Sequence, residues 1–262
     1  MKHRYLATLV VATITLLAPA CSRDDDNLAP TYPAAWDAYA TPPVTSDNRD
    51  PTSEGGRRYA TLVPDPEAYF STLSRLVLST LYASPSDTIN PVSALNIIVR
   101  DYDGAAGKSG YGTVVQIDIS SRWLGKLTGT TDDIRRELEG VLVHELTHAY
   151  QLEPRGIPGY SQGNEFWAYI EGCADAVRLL AGYLDADDYL PDLERKKYLA
   201  GYSITGFFLA WLVQHKDPDF LRRFNQSTLH VTPWSFQGGV RHVLGPQSDI
   251  DQLWIEYQNS RK

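Results

Sequence analysis

Apolar positions change their spacing along this chain, and the changes mark its elements. From Asp65 to Tyr82, Tyr69, Leu73, Leu76, Val77, Thr80 and Leu81 recur at helical spacing, which predicts a helix opened by Asp65 and Pro66. Ala94 to Arg100 is a β-rich run and predicts a strand. From Thr113 to Ser121, Val115, Ile117 and Ile119 alternate with Gln116, Asp118 and Ser120, which predicts a second strand. Between them, Asp101 to Gly112 carries Gly104, Gly107, Gly110 and Gly112 and is expected to be a sharply bending loop. It lacks the spacing and the Gly-Lys-Ser/Thr ending of a phosphate loop.

Helical spacing then takes over. Thr130 or Thr131 is expected to cap a long helix from about Asp132 to Gln151. Pro154, Gly156, Pro158 and Gly159 break it. Further helices are expected from Asn164 to Tyr183, Leu193 to His215, Pro218 to Asn225 and Ile250 to Asn259, the last burying Leu253, Trp254 and Tyr257. Strands come early and helices late. The expected class is therefore α+β, a small N-terminal sheet followed by a mostly helical C-terminal half, in one domain over 58–262. Residues 22–57 are rich in Asp, Pro, Ser, Thr and Gly and predict a flexible tether with at most local structure.

The long helix carries the chemistry. Val141 to Gln151 contains His144-Glu145-Leu-Thr-His148. Positions i and i+4 share a helix face, so both imidazoles can reach one metal ion, and Zn²⁺ suits neutral imidazole nitrogen. Glu145 is rotated off that line, where it can act as a general base on a water activated by the metal. Leu138, Val141, Leu142, Leu146, Ala149 and Tyr150 make the flanks apolar. Burying two histidines and a glutamate there without partners would cost several kcal/mol, and a metal removes that difficulty.

Two histidines under-coordinate zinc, so a third protein ligand is expected. Glu171 on the next helix is preferred, because Asp175 lies four residues on along the same face. Glu165 competes, although a carboxylate at a helix start is already favoured by the dipole. A Glu ligand on the following helix, with an Asp one turn later holding a ligand histidine, resembles the gluzincin class of zincins. Asp175 is the expected partner of such a histidine, the plainer alternative being an ion pair with Arg178. Gly172 is expected to let the two helices approach. Cys173, in an apolar helical context, is expected to be a small core residue.

His-Glu-Leu-Thr-His-Ala-Tyr-Gln, followed by Trp-Ala-Tyr-Ile-Glu-Gly-Cys-Ala-Asp-Ala-Val-Arg, resembles the plant basic secretory protein family of zinc peptidases and its bacterial relatives. Gly201 to Leu209 and the closing Leu253-Trp-Ile-Glu-Tyr257 are similar to that family too, so the resemblance spans roughly residues 60–260. It implies a zincin-like fold and a zinc metallopeptidase acting on peptide or protein substrates. His144, His148 and Glu171 would then be ligands and Glu145 the base. A peptidase also needs a donor for the developing oxyanion and an edge strand to align substrate. Tyr202, Tyr160 and His230 are the donor candidates, with Tyr202 preferred for its place in the third motif. Strand 113–121 is the expected edge.

Charge and the N-terminus add the setting. A net charge of -8 argues against a nucleic-acid partner. Past the N-terminus no run of about 20 apolar residues suggests a membrane span. Residues 1–21 read as a targeting signal. Lys2, His3 and Arg4 precede an apolar stretch from Tyr5 to Leu17, and Leu-Ala-Pro-Ala-Cys21 resembles a bacterial lipobox despite Pro19. Cys21 would carry lipid, anchoring a monomer to the outer membrane of a bacterial envelope. The alternative is an ordinary secretory signal cleaved nearby. Asp24-Asp25-Asp26 resembles a surface-export signal, or is simply a solvated tether. With Cys21 lipidated, no intrachain disulfide is expected. The rival to an enzyme is a surface binding lipoprotein that keeps the scaffold and metal without turnover, and an intact Glu145 speaks against it.

Overall fold

The structure, a computed structural model, describes residues 31–185 and 197–261. Strand β1 (Val44–Asn48) leads through α1 (Glu54–Leu62) and α2 (Pro66–Leu81) to β2 (Ala94–Arg100). A hairpin of β3 (Ala106–Tyr111) and β4 (Val114–Ser120) follows, then the short α3 (Ser121–Lys126). The rest is helical: α4 (Thr131–Tyr150), α5 (Glu165–Leu180), α6 (Tyr202–His215), α7 (Phe220–His230), α8 (Phe236–Leu244) and α9 (Ile250–Ser260). The class is α+β, with the sheet in the N-terminal half and helices dominating the C-terminal half.

The sheet order is β1-β2-β4-β3. β1, β2 and β4 are parallel, whereas β3 runs antiparallel to β4. Leu95, Ile97 and Val99 of β2 sit opposite Val115, Ile117 and Ile119 of β4, and all six are buried. They form the sheet's share of a single apolar core. α2 is capped by Asp65, which accepts from Ala68 N at 3.1 Å, and has Pro66 in its first turn. It packs against β1 and α4.

Three expectations about the N-terminal half need correcting. Part of the stretch expected to be a tether is folded: β1 pairs in register with β2, and Ser53 caps α1. β1 was hidden because it exposes most of its residues, so its own pattern carries no apolar alternation. The glycine-bearing stretch expected to be a loop supplies β3. Consequently 113–121 is not an edge: β4 lies inside the sheet, and β3 is the edge strand on its side, with β1 at the opposite edge. Residues 1–30, including the expected signal, Cys21 and the start of the tether, lie outside the described residues.

The helical half follows the sequence more closely. α6 starts at Tyr202, and the part of its expected span before residue 197 lies outside the described residues. α7 runs further than expected, to His230, and α8 was not anticipated. Cys173 is a fully buried free thiol. Gly172 does bring two helices together, but they are α5 and α6. A Cβ on Gly172 would stand 2.3 Å from Thr205 Cγ2, and one on Gly206 would stand 2.8 Å from Asp175 Cβ. Gly172 is one residue past Glu171 and is therefore turned about 100° away from the α4 side. Among the described residues no helix is long and apolar enough to cross a membrane.

Candidate metal centre

α4 is started by a capping box. Thr130 Oγ1 accepts from Asp133 N at 3.2 Å, and Asp133 Oδ2 accepts from Thr130 N at 2.8 Å. Ile134, Leu138, Leu142, Leu146 and Ala149 bury the helix in the core. That fixes its rotation and turns His144, Glu145 and His148 to one cleft. α5 is capped by Asn164, which accepts from Trp167 N at 2.8 Å, and brings Glu171 and Asp175 to the same place.

The histidine rings stand edge to face, with centroids 4.6 Å apart. Glu171 Oε2 lies 3.3 Å from His144 Nε2 and 3.6 Å from His148 Nε2. The three donor atoms all fall within 4.8 Å of one another, so the cluster could hold a metal ion. Tetrahedral geometry with bonds of about 2.0–2.2 Å separates neighbouring donors by about 3.3–3.6 Å. The two nitrogen-to-oxygen separations fall in that interval.

The outer atoms of these groups are also engaged. His144 Nδ1 meets Asp175 Oδ1 at 2.8 Å, and Asp175 is buried. Arg178, the alternative partner for Asp175, bonds Glu137 at 3.2 Å. His148 Nδ1 meets the side-chain amide of Gln151 at 2.9 Å. The hydroxyl of Tyr160 donates to Glu171 Oε1. Burial alone would lower the pKa of His144, but its bonds to Asp175 and Glu171 push it up to about 9. Burial would raise Glu171, yet the two histidines and Tyr160 hold it well below the usual carboxylate range. Two imidazoles and a carboxylate that converge in this way form a donor set that suits a divalent cation.

Glu165 is elsewhere, half-buried at the start of α5, and is not part of the cluster. Of the three oxyanion-donor candidates, the structure brings Tyr160 and Tyr202 to the cleft. His230 does not join them: it sits in the last turn of α7 with its ring stacked on His242 at 5.3 Å. A lone histidine in sequence gives no sign of which end of the fold it occupies.

Tyr202 has a positive φ of 42°, uncommon for a residue with a side chain. It follows Gly201, with φ 70°, where a Cβ would stand 2.4 Å from the Trp167 ring. This turn lays the Tyr202 ring parallel to His144, with centroids 6.0 Å apart, and leaves it 48% exposed at the mouth of the cleft. Backbone held in this way is typical of functional sites.

The cleft has a volume of about 710 Å³. One wall is the start of β3, with Ala106, Gly107 and Lys108, and the other has Phe166 and Ile170 of α5. Ser120 N donates to Ala105 O at 2.8 Å, and the register pairs Ala106 with Ile119. Antiparallel alternation then leaves the N–H and C=O of Ala106 and Lys108 pointing away from β4. Sequence reasoning missed this edge, and it missed Gln151. The only available signal for Gln151 was its position one turn past His148.

A family model described as BSP, peptidase of plants and bacteria, matches residues 41–257. No curated protein and no solved structure matches the chain.

Proposed function

The chain belongs to the BSP family, peptidases of plants and bacteria, and from that premise we propose that it is a zinc-dependent metallopeptidase. His144, His148 and Glu171 would hold the ion. The observation that carries this reading is the pair of 3.3 and 3.6 Å separations from Glu171 Oε2 to the two Nε2 atoms. Two nitrogens and one carboxylate oxygen form a donor set that leaves a fourth tetrahedral position open, as catalytic zinc sites do. Bound there, zinc supplies a Lewis acid that polarises a carbonyl and makes water acidic near neutral pH.

The chain's own groups do the rest. Glu145 lines the cleft beside both histidines. It takes the proton of the attacking water on its carboxylate and returns it to the leaving amine. Tyr202 offers its hydroxyl to the developing oxyanion at the cleft mouth, while Tyr160 bonds Glu171 and steadies it. A substrate strand adds to the edge of β3 through the free N–H and C=O of Ala106 and Lys108. Phe166 and Ile170 offer its side chains an apolar wall. Further proposals are a zincin-type fold, an N-terminal signal ending at Cys21, lipid attachment there, and a monomer facing peptides at the outer membrane of a bacterial envelope.

The test is hydrolysis of an unstructured protein such as casein by the purified chain, with and without chelator, beside Glu145→Gln. Turnover should vanish with chelator and return with zinc. The variant should keep its metal and fold and lose about 10²–10⁴-fold in rate. Near-normal rates in the variant would remove Glu145 from the reaction. No turnover in a zinc-loaded wild type would favour a binding protein on the same scaffold.

A further inference from the structure

Asp175 holds the outer nitrogen of His144, and the outer nitrogen of His148 has a different neighbour. Gln151 lies one turn along α4 with its Nε2 at 2.9 Å from His148 Nδ1. The residue is 1% exposed, and its Oε1 has no hydrogen-bond partner among the described residues. An amide oxygen left without a donor in the interior is costly, and turning the amide would set that oxygen against the imidazole.

A half-turn of the amide exchanges its two ends within nearly the same volume, so chemistry distinguishes the orientations. With nitrogen toward the ring, Nδ1 must accept, the proton sits on Nε2, and Nε2 is closed to a metal. With oxygen toward the ring, Nδ1–H donates and the orphaned oxygen gains a donor. The Nε2 lone pair is then free beside Glu171 Oε2, 3.6 Å away.

The backbone that carries this amide is fastened from three sides. Gln151 N closes the helix on Thr147 O at 2.8 Å. Ala149 O accepts from Asn90 Nδ2 at 2.8 Å, and Tyr150 O accepts from the Tyr82 hydroxyl at 2.6 Å. Leu152 N donates to Asn225 Oδ1 at 2.9 Å. The last turn of α4 is thereby held by the end of α2, the segment before β2, and α7. Such anchoring suits a residue that must hold an imidazole at a fixed angle.

We propose that Gln151 is the positioning residue of His148: its carboxamide oxygen accepts the Nδ1–H and so commits Nε2 to the metal. The inference rests on the reading of His144, His148 and Glu171 as metal ligands. It gives the two imidazoles unlike supports, a carboxylate for His144 and a neutral amide for His148.

The test is zinc affinity of the full chain, measured by competition with a chromophoric chelator, for wild type, Gln151→Ala and Gln151→Glu. Alanine should weaken binding by about 10–100-fold. Glutamate keeps an acceptor and loses the donor, so it should bind within about threefold of wild type or more tightly. In the zinc-bound protein, ¹⁵N NMR should show His148 coordinated through Nε2 and protonated on Nδ1. Unchanged affinity in Gln151→Ala, coordination through Nδ1, or a Gln151→Glu variant as weak as alanine would each overturn the proposal. Should Gln151→Ala fail to fold, Gln151→Glu and the spectrum decide on the same criteria. A wild type that binds no zinc would overturn the metal reading as well, whereas a wild type that binds zinc indifferently to residue 151 overturns this proposal alone.

Discussion

Removing the charge of Asp175 should weaken metal binding by an amount the structure sets. Its Oδ1 meets His144 Nδ1 at 2.8 Å, and the residue is 6% exposed. A hydrogen bond to a charged group contributes about 1.5–3 kcal/mol and a neutral one about 0.5–1.5 kcal/mol. Asparagine can keep an oxygen on Nδ1 but loses the charge, so Asp175→Asn gives up about 1–1.5 kcal/mol, or about five- to tenfold in zinc affinity. Alanine removes the bond outright, and Asp175→Ala should cost about 10–150-fold. Arg178 bonds Glu137, so neither change frees a buried cation. The assay is a zinc competition titration run beside thermal unfolding of the metal-free forms. A graded loss, wild type over asparagine over alanine, supports the reasoning. Unchanged zinc affinity with a lowered melting temperature would refute it and make Asp175 a purely structural residue.

Other changes test other parts of the account. Glu171→Ala should remove most of the zinc affinity, while Glu165→Ala, half-buried at the helix start, should change it by less than about threefold; dissociation constants in the reverse order would exchange their roles. Asn225 accepts from Leu152 N at 2.9 Å and from the Tyr169 hydroxyl at 3.1 Å, and donates to Leu81 O at 3.3 Å. Asn225→Ala should therefore lower stability by about 2–4 kcal/mol in urea unfolding, and an unmoved midpoint would contradict this. Gly206→Ala puts a Cβ 2.8 Å from Asp175 Cβ and 2.9 Å from Ala176 N, and should destabilise by about 1–3 kcal/mol with weaker zinc binding. Gly107, where a Cβ meets nothing within 4 Å, is the control: Gly107→Ala should unfold close to wild type.

What could be read in advance divides along physical lines. The histidine pair was legible because helical periodicity alone puts His144 and His148 on one face. The two apolar strands were legible because burial dictates their side chains. β1 and β3 were not. Val44–Asn48 is mostly exposed, and Ala106–Tyr111 is glycine-rich, so each is specified by the strand it pairs with and not by its own pattern. That obscured the edge beside the cleft and moved the expected edge one strand inward. Gly172 could be recognised as a contact glycine, but its partner helix depends on how α5 is rotated, which only packing decides. Gln151 had a visible position one turn from His148, yet a polar residue at a helix end has a simpler explanation until its amide is seen buried against the ring. The nine-residue α8 escaped because Gly238 and Gly239 interrupt its helical spacing.

The central claim is that His144, His148 and Glu171 hold a catalytic zinc ion, and elemental analysis of the purified chain tests it most directly. Wild type should contain one zinc per chain, with His144→Ala and His148→Ala losing it while keeping their secondary structure by circular dichroism. A wild type without stoichiometric zinc, or full zinc in either histidine variant, would contradict the account.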